Sequence, residues 1–156
     1  MNDDLNDLYQ EVILEHAKSP RNFRVMDNAN RVAQGRNPLC GDNYTLYFLM
    51  DGDVVKDVSF QGSGCAISKA SASLLTCTLK GKTRADVETL FGQVHDMVTT
   101  GKEVPALGKL AAFAGVHKFP ARVKCAILSW HAAKSAVENP GGTVTVSTEG
   151  DNPKAV

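Results

Sequence analysis

Four residues of types that could share one chemistry stand out along the chain: Cys40, Asp42, Cys65 and Cys125. Cys40 and Asp42 lie in the stretch Asn37–Thr45 (NPLCGDNYT), with only Gly41 between them. Cys65 follows Gly62-Ser63-Gly64 and directly precedes a helical pattern, and Cys125 lies about a turn and a half inside the helix that Pro120 opens. Helix N-termini carry partial positive charge and free N–H groups, which favour thiolate over thiol. A thiolate is both the nucleophile and the metal ligand of a cysteine. Three thiolates and one carboxylate make a tetrahedral set for Zn²⁺, and the same donors suit iron in a sulfide cluster. The long gaps between the cysteines match no common zinc finger, so spacing alone leaves metal ligand, reactive thiol and core residue all open.

The other candidates read as structural. Cys77 stands at helical spacing from Ile67, Ala70 and Leu74, as a small core thiol would. His16 shares an apolar stripe, and His95 and His131 lie on helices without neighbouring ligands. His117 is eight residues before Cys125 and could approach the site, though packing is the simpler role. Gly62 and Gly64 lack the Lys-Ser/Thr pair of a phosphate loop and the third glycine of a dinucleotide fingerprint. No Ser-His-Asp arrangement and no marked pair of carboxylates stands out.

The elements that must position these residues follow from periodicity. Leu5, Leu8, Tyr9, Val12, Ile13 and His16 keep helical spacing until Pro20 stops the helix. A loop follows. Tyr44–Met50 and Val54–Phe60 flank Asp51-Gly52, a two-residue hairpin signal, with Leu46, Phe48 and Met50 on one face. Gln61–Gly64 breaks the strand pattern, and Ala66–Leu79 reads as a helix of small residues. Thr83 and Asp86 form a capping box that opens a helix with Val87, Leu90, Phe91, Val94 and Met97 on its buried stripe. A short helix is expected around Leu107–Ala114. Pro120 begins another that runs to about Glu138, where Asn139-Pro140-Gly141-Gly142 ends it. Thr143–Ser147 alternates weakly, like a strand, within a polar and loose end. The order of elements indicates an α+β fold.

At 156 residues the chain can bury a real core as one domain. Lys+Arg and Asp+Glu are both 17, so neither a nucleic-acid partner nor an acidic tail is indicated. The apolar runs are too short to span a membrane, and the acidic start is unlike a signal peptide. A reducing, cytoplasmic location is therefore expected, where cysteines serve as ligands or nucleophiles before they form disulfides.

Four stretches then carry a resemblance: Leu8–His16 (LYQEVILEH) with Pro20–Asn22, Asn37–Asp42 (NPLCGD), Phe60–Ser71 (FQGSGCAISKAS) and Lys124–Trp130 (KCAILSW). In type and order they resemble the iron–sulfur scaffold family of IscU and the NifU N-terminal domain, and within it the SufU branch. The resemblance implies a SufE/NifU-like, IscU-type α+β fold over residues 1–139, a small antiparallel sheet packed against helices, with 140–156 a flexible tail. It makes Cys40, Asp42, Cys65 and Cys125 the metal ligands and Cys40 the sulfur acceptor. Asp42 would be the hard member of a soft set, leaving the metal exchangeable.

Two departures point to the branch. Lys124 stands where IscU-type scaffolds carry histidine, and Phe119–Lys124 matches their chaperone-recognition segment only loosely, which puts an Hsp70-type partner in doubt. What is implied is a Zn²⁺-dependent sulfurtransferase that takes persulfide sulfur from a SufS-like cysteine desulfurase and serves downstream iron–sulfur assembly proteins. Docking of the desulfurase would release Cys40, with a histidine of the partner taking its place. Arg122 and Lys124 are candidates to add positive charge around the thiolates. The competing reading is a non-enzymatic scaffold holding iron or a transient [2Fe–2S] cluster on the same ligands. A third is an interaction module with a purely structural zinc.

Overall fold

The computed structural model describes residues 3–102, 104–140 and 143–147, with side chains from Tyr9 onward save Pro105. The side chains of Leu5 and Leu8, both in the expected stripe, and residues 141, 142 and 148–156 of the expected tail lie outside it. The order is α1 (Asp3–Lys18), β1 (Arg31–Asn37), β2 (Asp42–Asp51), β3 (Val54–Ser63), α2 (Ala66–Leu79), α3 (Arg84–Thr100), a 3₁₀ segment (Pro105–Lys118), α4 (Pro120–Glu138) and β4 (Thr143–Ser147). The α+β expectation holds.

β2 turns every second side chain into the core. Asp42, Tyr44, Leu46, Phe48 and Met50 are all buried, as a half-covered strand requires. The sheet order is β3-β2-β1-β4; β2 is antiparallel to both neighbours, and β4 runs parallel to β1. Asp51 pairs with Val54, so the hairpin turn is Gly52-Asp53, one residue beyond the expected Asp51-Gly52. β3 also outlasts the expected break at Gln61 and runs to Ser63. Gly62 stays in the ladder at φ +138, where a Cβ would strike the Asn43 carbonyl.

Two strands depart from expectation. β1 was expected to be loop. Its inward residues are Ala33, Gly35 and Asn37, too small or too polar to read as a strand. Their smallness lets α4 come close: a Cβ on Gly35 would lie 3.2 Å from Leu128 Cγ. Thr143–Ser147, read as weakly strand-like within a loose end, is strand β4 beside β1, with Val144 and Val146 packed against the core. The sheet is therefore mixed rather than purely antiparallel.

The helices follow the sequence more closely. Thr83 and Asp86 form the capping box of α3. Val87, Val94 and Met97 are buried, while Leu90 and Phe91 are partly so. The expected Leu107–Ala114 helix is the middle of a longer 3₁₀ run, kinked at Gly108 (φ 57, ψ −125). α4 packs on β1, β2 and β4, and α2 packs against β3, α1 and α4. α2 is covered on all sides between Ser71 and Thr76, so helical spacing could not show where its cover ends. Cover is already lost at Cys77, which is exposed rather than the expected core thiol. His16 is a packed histidine, its Nδ1 2.7 Å from Ser73 Oγ on α2.

Candidate metal centre

One end of the sheet gathers the chemistry. β1 ends at Asn37 opposite Asp42, the first residue of β2, while Asn43 pairs with Ser63 at the end of β3. Cys65, two residues on, is the N-cap of α2, and α4 brings Cys125 over the same end. Among the described residues, Asp42, Cys65 and Cys125 have ligand atoms within 4.8 Å of one another. Asp42 is 2% exposed and Cys125 1%, and Cys65 is half-buried.

The caps and hydrogen bonds explain this convergence. Cys65 takes extended backbone (φ −71, ψ 169), and its Sγ accepts from the Ser68 N–H at 3.4 Å, as an N-cap side chain does. The Cys65 N–H donates to Asp42 Oδ1 at 3.0 Å, locking the carboxylate against the helix start. Ser68 Oγ donates to the Cys65 carbonyl at 3.0 Å, so the Tyr44 hydroxyl, 2.9 Å away, is the donor to Ser68. Burial pushes the Tyr44 phenol above its usual range, which keeps it a donor. Gly64 allows this closeness: a Cβ there would lie 2.5 Å from Asp42 Oδ1 and 2.6 Å from both Ser68 Oγ and Tyr44 Oη. On the α4 side, Ser71 Oγ donates to the Ala126 carbonyl at 2.6 Å and fixes α2 to α4 beside Cys125.

The two inner thiols are shifted in opposite directions. A hydrogen bond from Cys125 lowers the Cys65 thiol well below its usual value, against burial and with help from Ser68. The same bond, then burial and the adjacent Asp42, push Cys125 up. A cation placed among the three would free Cys125 of its proton as well. Asp42 Oδ2 is buried and, among the described residues, has no hydrogen-bond partner. An orphaned carboxylate oxygen beside two thiols suits a metal ligand, and the donor set fits a thiophilic metal.

The fourth expected ligand stands apart. Cys40 is exposed and lies outside the converged trio. Its N–H and that of Gly41 donate to the Asn37 carbonyl at 3.2 and 2.9 Å, making a tight turn with Gly41 at φ +75. Cys40 lines a groove of about 200 Å³ with Asn37, Leu39, Pro120, Ala121 and Lys124. Lys124 thus reaches the Cys40 groove. Arg122 lines another, of about 590 Å³, with Ile67 and Phe119 among others. His117 donates from Nδ1 to the Ala114 carbonyl at 2.8 Å and is no part of the trio.

Tyr44, Ser68 and Asn37 were given no role from sequence. Ser68 could have been found as the N3 partner of an N-cap at Cys65. Tyr44 had no signal beyond strand alternation, and Asn37 stood only as the first residue of the Asn37–Asp42 stretch.

The model of the NifU-like N terminal domain family matches residues 8–139. The zinc-dependent sulfurtransferase SufU of Bacillus subtilis is 44% identical over 146 residues, which is 90% of this chain and 97% of that one. The iron–sulfur cluster assembly scaffold protein IscU of Streptococcus pyogenes is 40% identical, covering 86% of this chain and 85% of its own. The crystal structure of a putative iron–sulfur cluster assembly scaffold protein for the SUF system from Fervidobacterium islandicum superimposes with a TM-score of 0.77 at 37% identity, over 85% of this chain and 98% of that one.

Proposed function

We propose, on the premise that this chain belongs to the NifU-like N terminal domain family, that it serves iron–sulfur cluster assembly as a zinc-dependent sulfur carrier. One observation carries the reading: three donors are already assembled in a buried site, while the fourth, Cys40, stands exposed on a turn beside it. A structural metal site would enclose all its ligands. Here Asp42, Cys65 and Cys125 would hold the ion, and Cys40 is the ligand able to leave. Bound Zn²⁺ supplies positive charge that keeps the cysteines as thiolates near neutral pH.

The chain's own residues then do the work. The turn held by the Asn37 carbonyl presents Cys40 to a partner, and Lys124 brings a cation to the same groove. The Cys40 thiolate attacks the terminal sulfur of a cysteine persulfide on the desulfurase. The new S–S bond forms on Cys40, and the donor's S–S bond breaks with its electrons going to the donor cysteine, which leaves as thiolate. The transferred sulfur keeps its proton. Such exchange depends on thiolate fraction, nucleophilicity and access, and access favours Cys40 over the buried Cys125. The partners of this reading are a cysteine desulfurase and downstream assembly proteins, in the cytoplasm. No helix among the described residues is long and apolar enough to cross a membrane.

A second reading, a scaffold for a [2Fe–2S] cluster on the same donors, is favoured by the 40% identity to a protein named a scaffold. Desulfurase turnover with and without the zinc-loaded chain separates the two. Stimulation that disappears in Cys40→Ser and after zinc removal supports the carrier. No stimulation, together with a cluster assembled from iron and sulfide on Cys40, Cys65 and Cys125, overturns it in favour of the scaffold.

A further inference from the structure

Asn37 is the most completely unsatisfied polar side chain of this end of the molecule. It is 0% exposed, and among the described residues neither its Nδ2 nor its Oδ1 has a hydrogen-bond partner. A buried amide with both ends unpaired is costly, and native structures keep one only where something else completes it. The natural partner would be Asp42, directly opposite in the β1–β2 ladder and itself carrying an unpaired Oδ2. The two do not bond. Asp42 is held the other way, by the N–H of Cys65.

Cys40 follows in the turn that Asn37 opens. The Asn37 carbonyl accepts from the N–H groups of Cys40 and Gly41, so the two residues belong to one tight turn. Asn37, Cys40 and Lys124 are the polar residues lining the same groove, whose other walls are Leu39, Pro120 and Ala121. An apolar groove with one free amide and one cation suits a small, polarisable, electron-rich group. We propose that the side-chain amide of Asn37 is the positioning group for the sulfur carried on Cys40, its Nδ2–H donating to the lone pairs of the transferred terminal sulfur. The inference rests on the sulfur-carrier reading. It assigns the groove as the place where that sulfur is kept from water and reductant between donor and acceptor.

The test uses the full zinc-loaded chain carrying Cys77→Ser, so that the exposed second thiol does not contribute. Cys40 is loaded with sulfur in two ways: by inorganic polysulfide and by a cysteine desulfurase with its substrate. Asn37→Leu, which fills the site without a donor, is compared with the parent; Asn37→Ala replaces it if the leucine does not fold. The persulfide on Cys40 is followed by alkylation and mass spectrometry under mild reductant, and zinc affinity by chelator competition. The expected result is a persulfide lost about tenfold faster in Asn37→Leu, the scale of one hydrogen bond to a charged or strongly polar group. The desulfurase-driven kcat falls with it, KM for the desulfurase is unchanged, and thermal stability is equal or higher.

Equal persulfide half-lives in parent and variant overturn the inference. So does a variant changed only in zinc affinity, which would make Asn37 a support for Asp42. A parent that accepts sulfur from polysulfide but not from the desulfurase sinks the carrier reading while leaving the amide's role to be read from the half-lives. A parent that accepts none from either source overturns both.

Discussion

At the scale of single residues, the four donors of the proposed site are held unequally. Cys65 is held by the α2 N-terminus, by Ser68 and by its bond with Cys125, whereas Cys40, among the described residues, is tethered by the backbone of its turn. Removing them should therefore cost different amounts. Cys65→Ser is expected to lower zinc affinity by more than about 100-fold, above the range found when only an outer partner of a ligand is lost. Cys40→Ser should lower it by only about tenfold while abolishing sulfur acceptance. Chelator competition on both variants checks this, and equal losses would mean that Cys40 is as firmly bound as the rest. The types of these residues were legible in the sequence, but their use was not: ligand, reactive thiol and core residue stayed open until the family resemblance joined them into one set. The orphaned amide of Asn37 was not legible either, since burial and the lack of a partner leave no mark on residue type.

At the scale of elements, Gly64 joins strand to helix at the one point where three side chains crowd its α-carbon. Gly64→Ala places a methyl 2.5 Å from Asp42 Oδ1, so the carboxylate must move. Zinc affinity is expected to fall about tenfold and stability by about 2 kcal/mol, as in other overpacked sites. Gly92 in α3 is the control: nothing lies within 4 Å of its would-be Cβ, and alanine there should stabilise by about 1 kcal/mol through helix propensity. Thermal melts of both variants test the contrast, and a harmless Gly64→Ala would show that the strand-to-helix junction gives way freely. The capping box at Thr83 and Asp86, the helix opened by Pro120 and the alternation of β2 were all readable, because each is set by neighbours a few residues away. β1 was not. Its inward residues are small so that α4 can approach, and that reason lies about a hundred residues downstream.

At the scale of the whole molecule, α1 is fastened to α2 through His16 and Ser73, with the Arg21 N–H also donating to Ser73 Oγ at 2.8 Å. Burial, then the charge of Arg21, lowers the His16 pKa below its usual 6.5. Glu15 opposes this, and Lys109 adds to it. The unfolded chain therefore takes up a proton at this histidine before the folded chain does. The stability tied to neutral His16 is complete above about pH 6.5 and is lost as pH falls from there through the lower folded value. Melting the metal-free chain at pH 7.5 and 5.5, beside His16→Gln, should show a smaller acid loss in the variant. Identical losses would mean that His16 takes up its proton as readily in the folded chain as in the unfolded one.

The sequence by itself determined what short-range periodicity and residue chemistry can encode: the helices, the central hairpin, the caps and the four candidate donors. Only the tertiary structure decided which of those donors meet. It brought Asp42, Cys65 and Cys125 within 4.8 Å of one another and left Cys40 on the rim. It turned Cys77 to solvent, buried Asn37 and closed the sheet with β4. The physical reason is the same in each case. A donor's identity is a property of one residue, but its exposure and its distance from another depend on how a sheet and two helices, far apart in the chain, pack at one end.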